Sequence, residues 1–116
     1  MKLLVCGGRD YTDIFNIYRV LEQVCNNHDI TEIIEGDASG VDRIAGRWAV
    51  GHGRKLTRFP ADWERYGKAA GPIRNSQMLD EGRPDICLHF PGGKGTEDMV
   101  RQARKAGLTM IDASTI

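Results

Sequence analysis

The chain has 116 residues, 41% hydrophobic and 28% charged, which is enough to bury one core without disulfide or metal staples. Sixteen Lys and Arg balance sixteen Asp and Glu, so the formal net charge of zero offers no global field for a long nucleic-acid duplex or an anionic membrane surface. No apolar run approaches membrane-spanning length, and Met1 to Val5 is too short for a signal peptide. Cys6, Cys25 and Cys87 lack paired or metal-like spacing and lie in apolar stretches, so buried free thiols in a reducing cytoplasm are expected.

Lys2 to Cys6 is a short apolar run ending at Gly7-Gly8, the pattern of a buried strand. After Arg9 and Asp10, Asp13 is placed to cap a helix whose apolar residues recur at Ile14, Ile17, Tyr18, Leu21, Val24 and Cys25. Ile30 to Glu35 reads as a second strand, followed by the turn Gly36-Asp37-Ala38-Ser39-Gly40. Val41, Ile44, Ala45, Trp48 and Ala49 form the apolar face of a second helix, which stops at Gly51-His52-Gly53. Arg54 to Phe59 is a weaker third strand. Asp62 to Gly71 is ambiguous: Asp62-Trp63-Glu64-Arg65-Tyr66 suits one helical turn, but Gly67 and Gly71 interrupt the pattern. Pro72 suits a helix's first position, so a long helix is expected from Pro72 to Glu81. Asp85 to Phe90 is a fourth strand, Thr96 to Lys105 a further helix capped by Thr96, and Leu108 to Ile111 a fifth strand.

This alternation predicts one α/β domain over residues 1–116, a minimal Rossmann-like three-layer fold. Right-handed crossovers and the doubly wound pattern lead to a five-stranded parallel sheet of order 3-2-1-4-5, with helices on both faces. Strands one and four then become neighbours. The loops after them, Gly7-Gly8-Arg9-Asp10 and Pro91-Gly92-Gly93-Lys94-Gly95-Thr96, flank a crevice at the strands' carboxyl ends, with Gly36 to Gly40 beside it. A strand, a glycine-rich turn and a helix in succession aim backbone N–H groups at an anion, so the loops are expected to hold a phosphate or ribose phosphate. An ordinary strand-to-helix turn is the alternative.

The residue types narrow the chemistry. Lys94 precedes Gly95 without a following Lys-Ser/Thr pair, and Gly7-Gly8-Arg9-Asp10 lacks the dinucleotide fingerprint, which disfavours conventional NTP hydrolysis and NAD-dependent hydride transfer. Arg74, beside Asn75, is expected in the first turn of its helix, where it opposes the dipole and an anionic partner would relieve it. Arg9 merits the same reading. Asp10, Asp37, Asp42, Asp62, Glu97 and Asp98 lie in or next to the loops, as ribose ligands or bases, or as caps and turn formers. Trp63 could stack on a base or pack in the fold. His28, His52 and His89 share no ligand spacing, so no metal is expected, and Ser39 and Ser76 have no histidine neighbour for a triad.

Five segments together resemble the SLOG superfamily, and more narrowly its small YspA-type branch, related to the LOG cytokinin nucleotide phosphoribohydrolases. They are Gly7 to Asp13, Gly36 to Asp42, Phe59 to Trp63, Gly71 to Met78, and Pro91 to Thr96. The resemblance implies a nucleotide or nucleotide-derived ligand, of the ADP-ribose or nucleoside phosphate type. It implies no further cofactor, no membrane or long-duplex partner, and a homodimer or larger homo-oligomer. LOG enzymes release the base and ribose 5-phosphate from a nucleoside monophosphate; Arg74 matches their catalytic arginine. Where their Gly-Thr-x-x-Glu pattern has its glutamate, this chain has Met99, with acids instead at Glu97 and Asp98. The expectation is therefore a binding protein that senses or sequesters its ligand. The alternative is a hydrolase with Arg74 on phosphate and Glu97, Asp98 or Asp10 as acid or base.

Overall fold

The computed structural model describes residues 1–116. The elements are β1 (Lys2–Cys6), α1 (Ile14–Asn27), β2 (Glu32–Glu35), α2 (Val41–Gly51), β3 (Lys55–Arg58), α3 (Trp63–Tyr66), α4 (Ala70–Asp80), β4 (Ile86–His89), α5 (Lys94–Lys105) and β5 (Thr109–Asp112). A 3₁₀ turn, Gly67–Ala69, leads into α4, and another, Ala113–Thr115, follows β5. All five strands are parallel in the order β3-β2-β1-β4-β5. The chain thus has the expected α/β, Rossmann-like sheet with helices on both sides.

Strand alternation divides the core between the two faces. Leu3, Val5, Ile33, Ile86 and Leu88 pack with Ile17, Leu21, Ile44 and Trp48 of α1 and α2. Leu4, Cys6, Ile34 and Cys87 point the other way, onto Met78 of α4 and Met99 and Ala103 of α5. The three cysteines are buried and free. No helix is long and apolar enough to cross a membrane.

Side-chain caps fall where short acids were expected. Asp13 accepts from Asn16 N at 3.1 Å and Asp62 from Arg65 N at 3.1 Å, so Asp62 to Tyr66 does form one helical turn. Two helix starts differ from expectation. The helix α4 begins at Ala70 rather than Pro72, because the Gly67–Ala69 turn runs into it. Pro72 occupies the third position, where a missing N–H costs no intrahelical bond. The helix α5 begins at Lys94, with Gly93 rather than Thr96 at the cap and no side-chain cap bond. Thr96 instead packs its Oγ1 against Gly92.

The loops that follow β1 and β4 are bonded to each other, Gly8 N donating to Pro91 O at 2.8 Å. Their glycines are demanded by this packing: a Cβ on Gly8 would lie 2.9 Å from Pro91 O, and one on Gly7 2.6 Å from the Val41 side chain. Gly40, at φ 80° and ψ −132°, holds the third loop against them in a region only glycine adopts freely. A Cβ there would also meet the carbonyl oxygens of Gly8 and Arg9. Gly40→Ala is expected to cost about 2–3 kcal/mol, read as a lower denaturation midpoint at unchanged m-value.

Candidate functional site

At the carboxyl ends of β1, β2 and β4 the loops enclose a crevice with two adjoining lobes. The larger, about 440 Å³, is lined by Gly7, Gly8, Arg9, Asp10, Asp42, Trp63, Arg74, Asn75, Gly93, Lys94, Gly95, Thr96 and Asp98. The smaller, about 300 Å³, is lined by Gly36, Asp37, Ser39, Arg43, Pro60 and Ala61. Arg9, Ala38, Trp63 and Arg74 belong to both.

Arg74 is the centre of this arrangement. It is only 8% exposed, yet no carboxylate lies within ion-pair distance of it. Its Nη1 donates to Gly36 O at 2.5 Å and its Nε to Asn75 Oδ1 at 3.0 Å. Nη2 has no protein acceptor and is not sealed from solvent, so it faces the crevice. A Cβ on Gly36 would lie 2.7 Å from Nη1, so the guanidinium lies directly on the backbone of that loop. The helix-dipole reason expected for Arg74 does not hold: it is the fifth residue of α4, beyond the first turn. Its pairing potential comes from burial and an unpartnered N–H group.

At the opposite wall, the first helical bond of α5 is Glu97 N to Gly93 O, 3.0 Å. The N–H groups of Lys94, Gly95 and Thr96 precede it and donate to no protein acceptor. Gly93 and Gly95 have nothing within 4 Å of where a Cβ would stand, so their backbone is open to a ligand. Asn75 ties the two walls together: its Nδ2 donates to Gly95 O at 3.3 Å and to Asp98 Oδ2 at 2.9 Å. Asp98 is further held by Gln102 Nε2 at 2.8 Å and by Arg101.

Asp42, second residue of α2 and 5% exposed, lines the same lobe. Burial raises its pKa to about 6, against the opposing pull of the Arg74 charge and a 3.4 Å bond from Ala38 N. Burial likewise disfavours the charged form of Arg74, which Asp42 opposes. Cys6 also reaches the lobe, but the neighbouring Cys87 thiol and burial push its own thiol pKa well up, so it is no thiolate nucleophile at neutral pH.

The structure therefore gathers most of the residues singled out from sequence, and separates others. Glu97, Pro91 and Gly92 line a different cleft across α5, with His89, Arg101 and Arg104. Glu97 is not brought to Arg74, whereas Asp98 shares the crevice with it. Asp62 is spent capping α3 and Gly40 is packed under Arg9. Lys68, Gly71, Met78 and Met99 line the larger lobe although the sequence did not single them out as its walls. A lysine after Gly67 was the only signal for Lys68.

Residues 1–66 match the family described as YAcAr, the YspA, cpYpsA-related SLOG family. The Gene 61 protein of Mycobacterium phage D29 is 36% identical over 119 residues, an alignment covering 96% of this chain and 94% of that protein. The chain belongs to the SLOG family. A solved structure with the same fold is DNA processing protein A (DprA) from Streptococcus pneumoniae, at a TM-score of 0.53 and 17% identity. This SLOG chain is covered over 95% of its length but spans only 58% of the DprA chain, and the likeness concerns the fold. Met99, 1% exposed, forms part of the crevice floor with Met78.

Proposed function

We propose that this SLOG-family protein binds a nucleotide or nucleotide-derived ligand, of the nucleoside phosphate or ADP-ribose type, as a sensor or sequestering module. The observation that carries the reading is Arg74: a guanidinium nine-tenths buried, with no acid paired to it, turning a free N–H edge into the crevice. Across the crevice, the three unbonded N–H groups at the start of α5 and the Lys94 side chain offer the same anion a second set of donors. Trp63 on the rim offers a flat apolar face.

Turnover has less support. An apolar thioether at Met99 neither accepts a proton nor stabilises a cationic sugar, and Glu97 opens on another cleft. Titration with AMP, ADP, NAD and ADP-ribose, with products separated by chromatography, tests both points. Saturable binding with the ligand recovered intact is expected. Release of free base or sugar phosphate would move the protein to the hydrolases, and no binding across the panel would overturn the reading.

Asp42 makes this binding pH-dependent. Its carboxylate faces the same lobe as Arg74, so ionisation above about pH 6 opposes an incoming anion. Sulfate does not change charge in this range, and its affinity is expected to fall as pH rises from 5 to 7. Asp42→Asn should flatten that profile and strengthen sulfate binding at pH 7.5 by on the order of 1 kcal/mol, about fivefold.

A further inference from the structure

One side chain at the junction of the two lobes lies apart from the anion donors described above. Arg9 is exposed, and its guanidinium carbon lies 5.3 Å from the centroid of the Trp63 ring. It takes part in no ion pair and no side-chain hydrogen bond, so the ring is its partner in the protein. Trp63 is 48% exposed, and the pair borders both lobes. The cation thus occupies a ring face that a flat ligand would need, while standing at the edge of the lobe that holds the phosphate donors.

We propose that the crevice is built for a bipartite ligand, a heteroaromatic ring joined through a sugar to a phosphate, and that Arg9 couples its two halves. The proposal rests on the phosphate reading above. An exposed cation–π contact is weak, and a phosphate offers the guanidinium charge-assisted hydrogen bonds that are stronger. A phosphate in the larger lobe draws Arg9 off Trp63, and the freed face accepts the ring. A ring alone must displace Arg9 without compensation. A phosphate alone leaves the ring face empty. The two halves of one ligand therefore bind cooperatively, and the site selects nucleotides over nucleosides and over plain sugar phosphates.

Three probes separate the terms: adenosine, ribose 5-phosphate and AMP, titrated by calorimetry and by tryptophan fluorescence. AMP is expected to bind at least about tenfold tighter than either half. Arg9→Ala should weaken ribose 5-phosphate binding about tenfold yet strengthen adenosine binding, an opposite pair of changes that simple loss of a contact does not produce. Trp63→Ala should weaken AMP but, by releasing Arg9 from the ring, modestly strengthen ribose 5-phosphate binding, and should remove the quenching of fluorescence that AMP causes in the parent protein. Both side chains are exposed, so circular dichroism should show an intact fold in each variant. Ribose 5-phosphate binding as tightly as AMP, with adenosine unaffected by Arg9→Ala, overturns the coupling while leaving the phosphate site standing. Binding of none of the three probes overturns both.

Discussion

Arg74→Gln is expected to lower AMP affinity by about 10- to 100-fold, the largest effect of any single change at the crevice. Hydrogen bonds to a charged partner are worth about 1.5–3 kcal/mol each, and glutamine removes the charge and the free Nη2 together. The same substitution leaves Gly36 O without the donor it has at 2.5 Å, so a stability loss of about 1–2 kcal/mol should accompany it. Binding is therefore best measured by calorimetry at a temperature where circular dichroism shows the variant fully folded. Arg74→Lys is a useful companion: it keeps the charge, but an ammonium cannot span Gly36 O and Asn75 while presenting a flat edge to phosphate. An intermediate affinity is expected for it. Parent-like AMP binding by Arg74→Gln would move the phosphate site away from this residue.

The second large effect concerns stability. Glu35, at the end of β2, is fully buried, accepts from Asp37 N at 2.8 Å, and has Arg58 Nε at 3.4 Å. Burial raises its pKa from the ordinary 4.5 to about 7, outweighing the bond from Asp37 and the charge of Arg58, while Asp42 and Asp37 push in the same direction as burial. The folded state then holds a proton that the unfolded chain releases between about pH 4.5 and 7, so stability falls as pH rises through that window. At pH 8 both states are ionised and the whole penalty, about 3 kcal/mol, is present. Glu35→Gln retains an acceptor for Asp37 N and leaves Arg58, which is partly solvated, to water. Urea denaturation should show the variant close to the parent at pH 4 and more stable by about 3 kcal/mol at pH 8. Asp42 is present in both proteins, so the difference reports Glu35 together with its coupling to Asp42. Parallel stability curves for the two proteins across the range would count against a buried, proton-retaining Glu35.

Much of the architecture was legible in the residues themselves. The alternation of short apolar runs with stripes such as Ile17, Leu21, Val24 and Cys25 determines strands and helices because burial on one face requires that spacing. A βαβ succession with right-handed crossovers determines a parallel sheet, and the sheet brings the loops after β1, β2 and β4 to one edge. Gly7 and Gly8, and separately Gly92, were visible as parts of two glycine-bearing turns, but the reason for them was not. They allow two loops to lie against each other, whereas Gly93 and Gly95 are the positions open to a ligand.

Only the tertiary structure decided which side chains face the crevice. Met99 and Ala103 anchor α5 on the sheet, and this sets its rotation. Asp98 and Gln102 then point to α4, where Asn75, Ser76 and Pro72 bond with them. Glu97, Arg101 and Arg104 turn toward the opposite cleft. Residues one position apart differ by about 100° around a helix, so the neighbour on each flank determines which acid shares the crevice with Arg74. The burial of Arg74 is of the same kind. Its sequence neighbours showed a charged residue near a helix start, and only the Gly36 loop, packed over it from 38 residues away, made it an enclosed cation with one free edge.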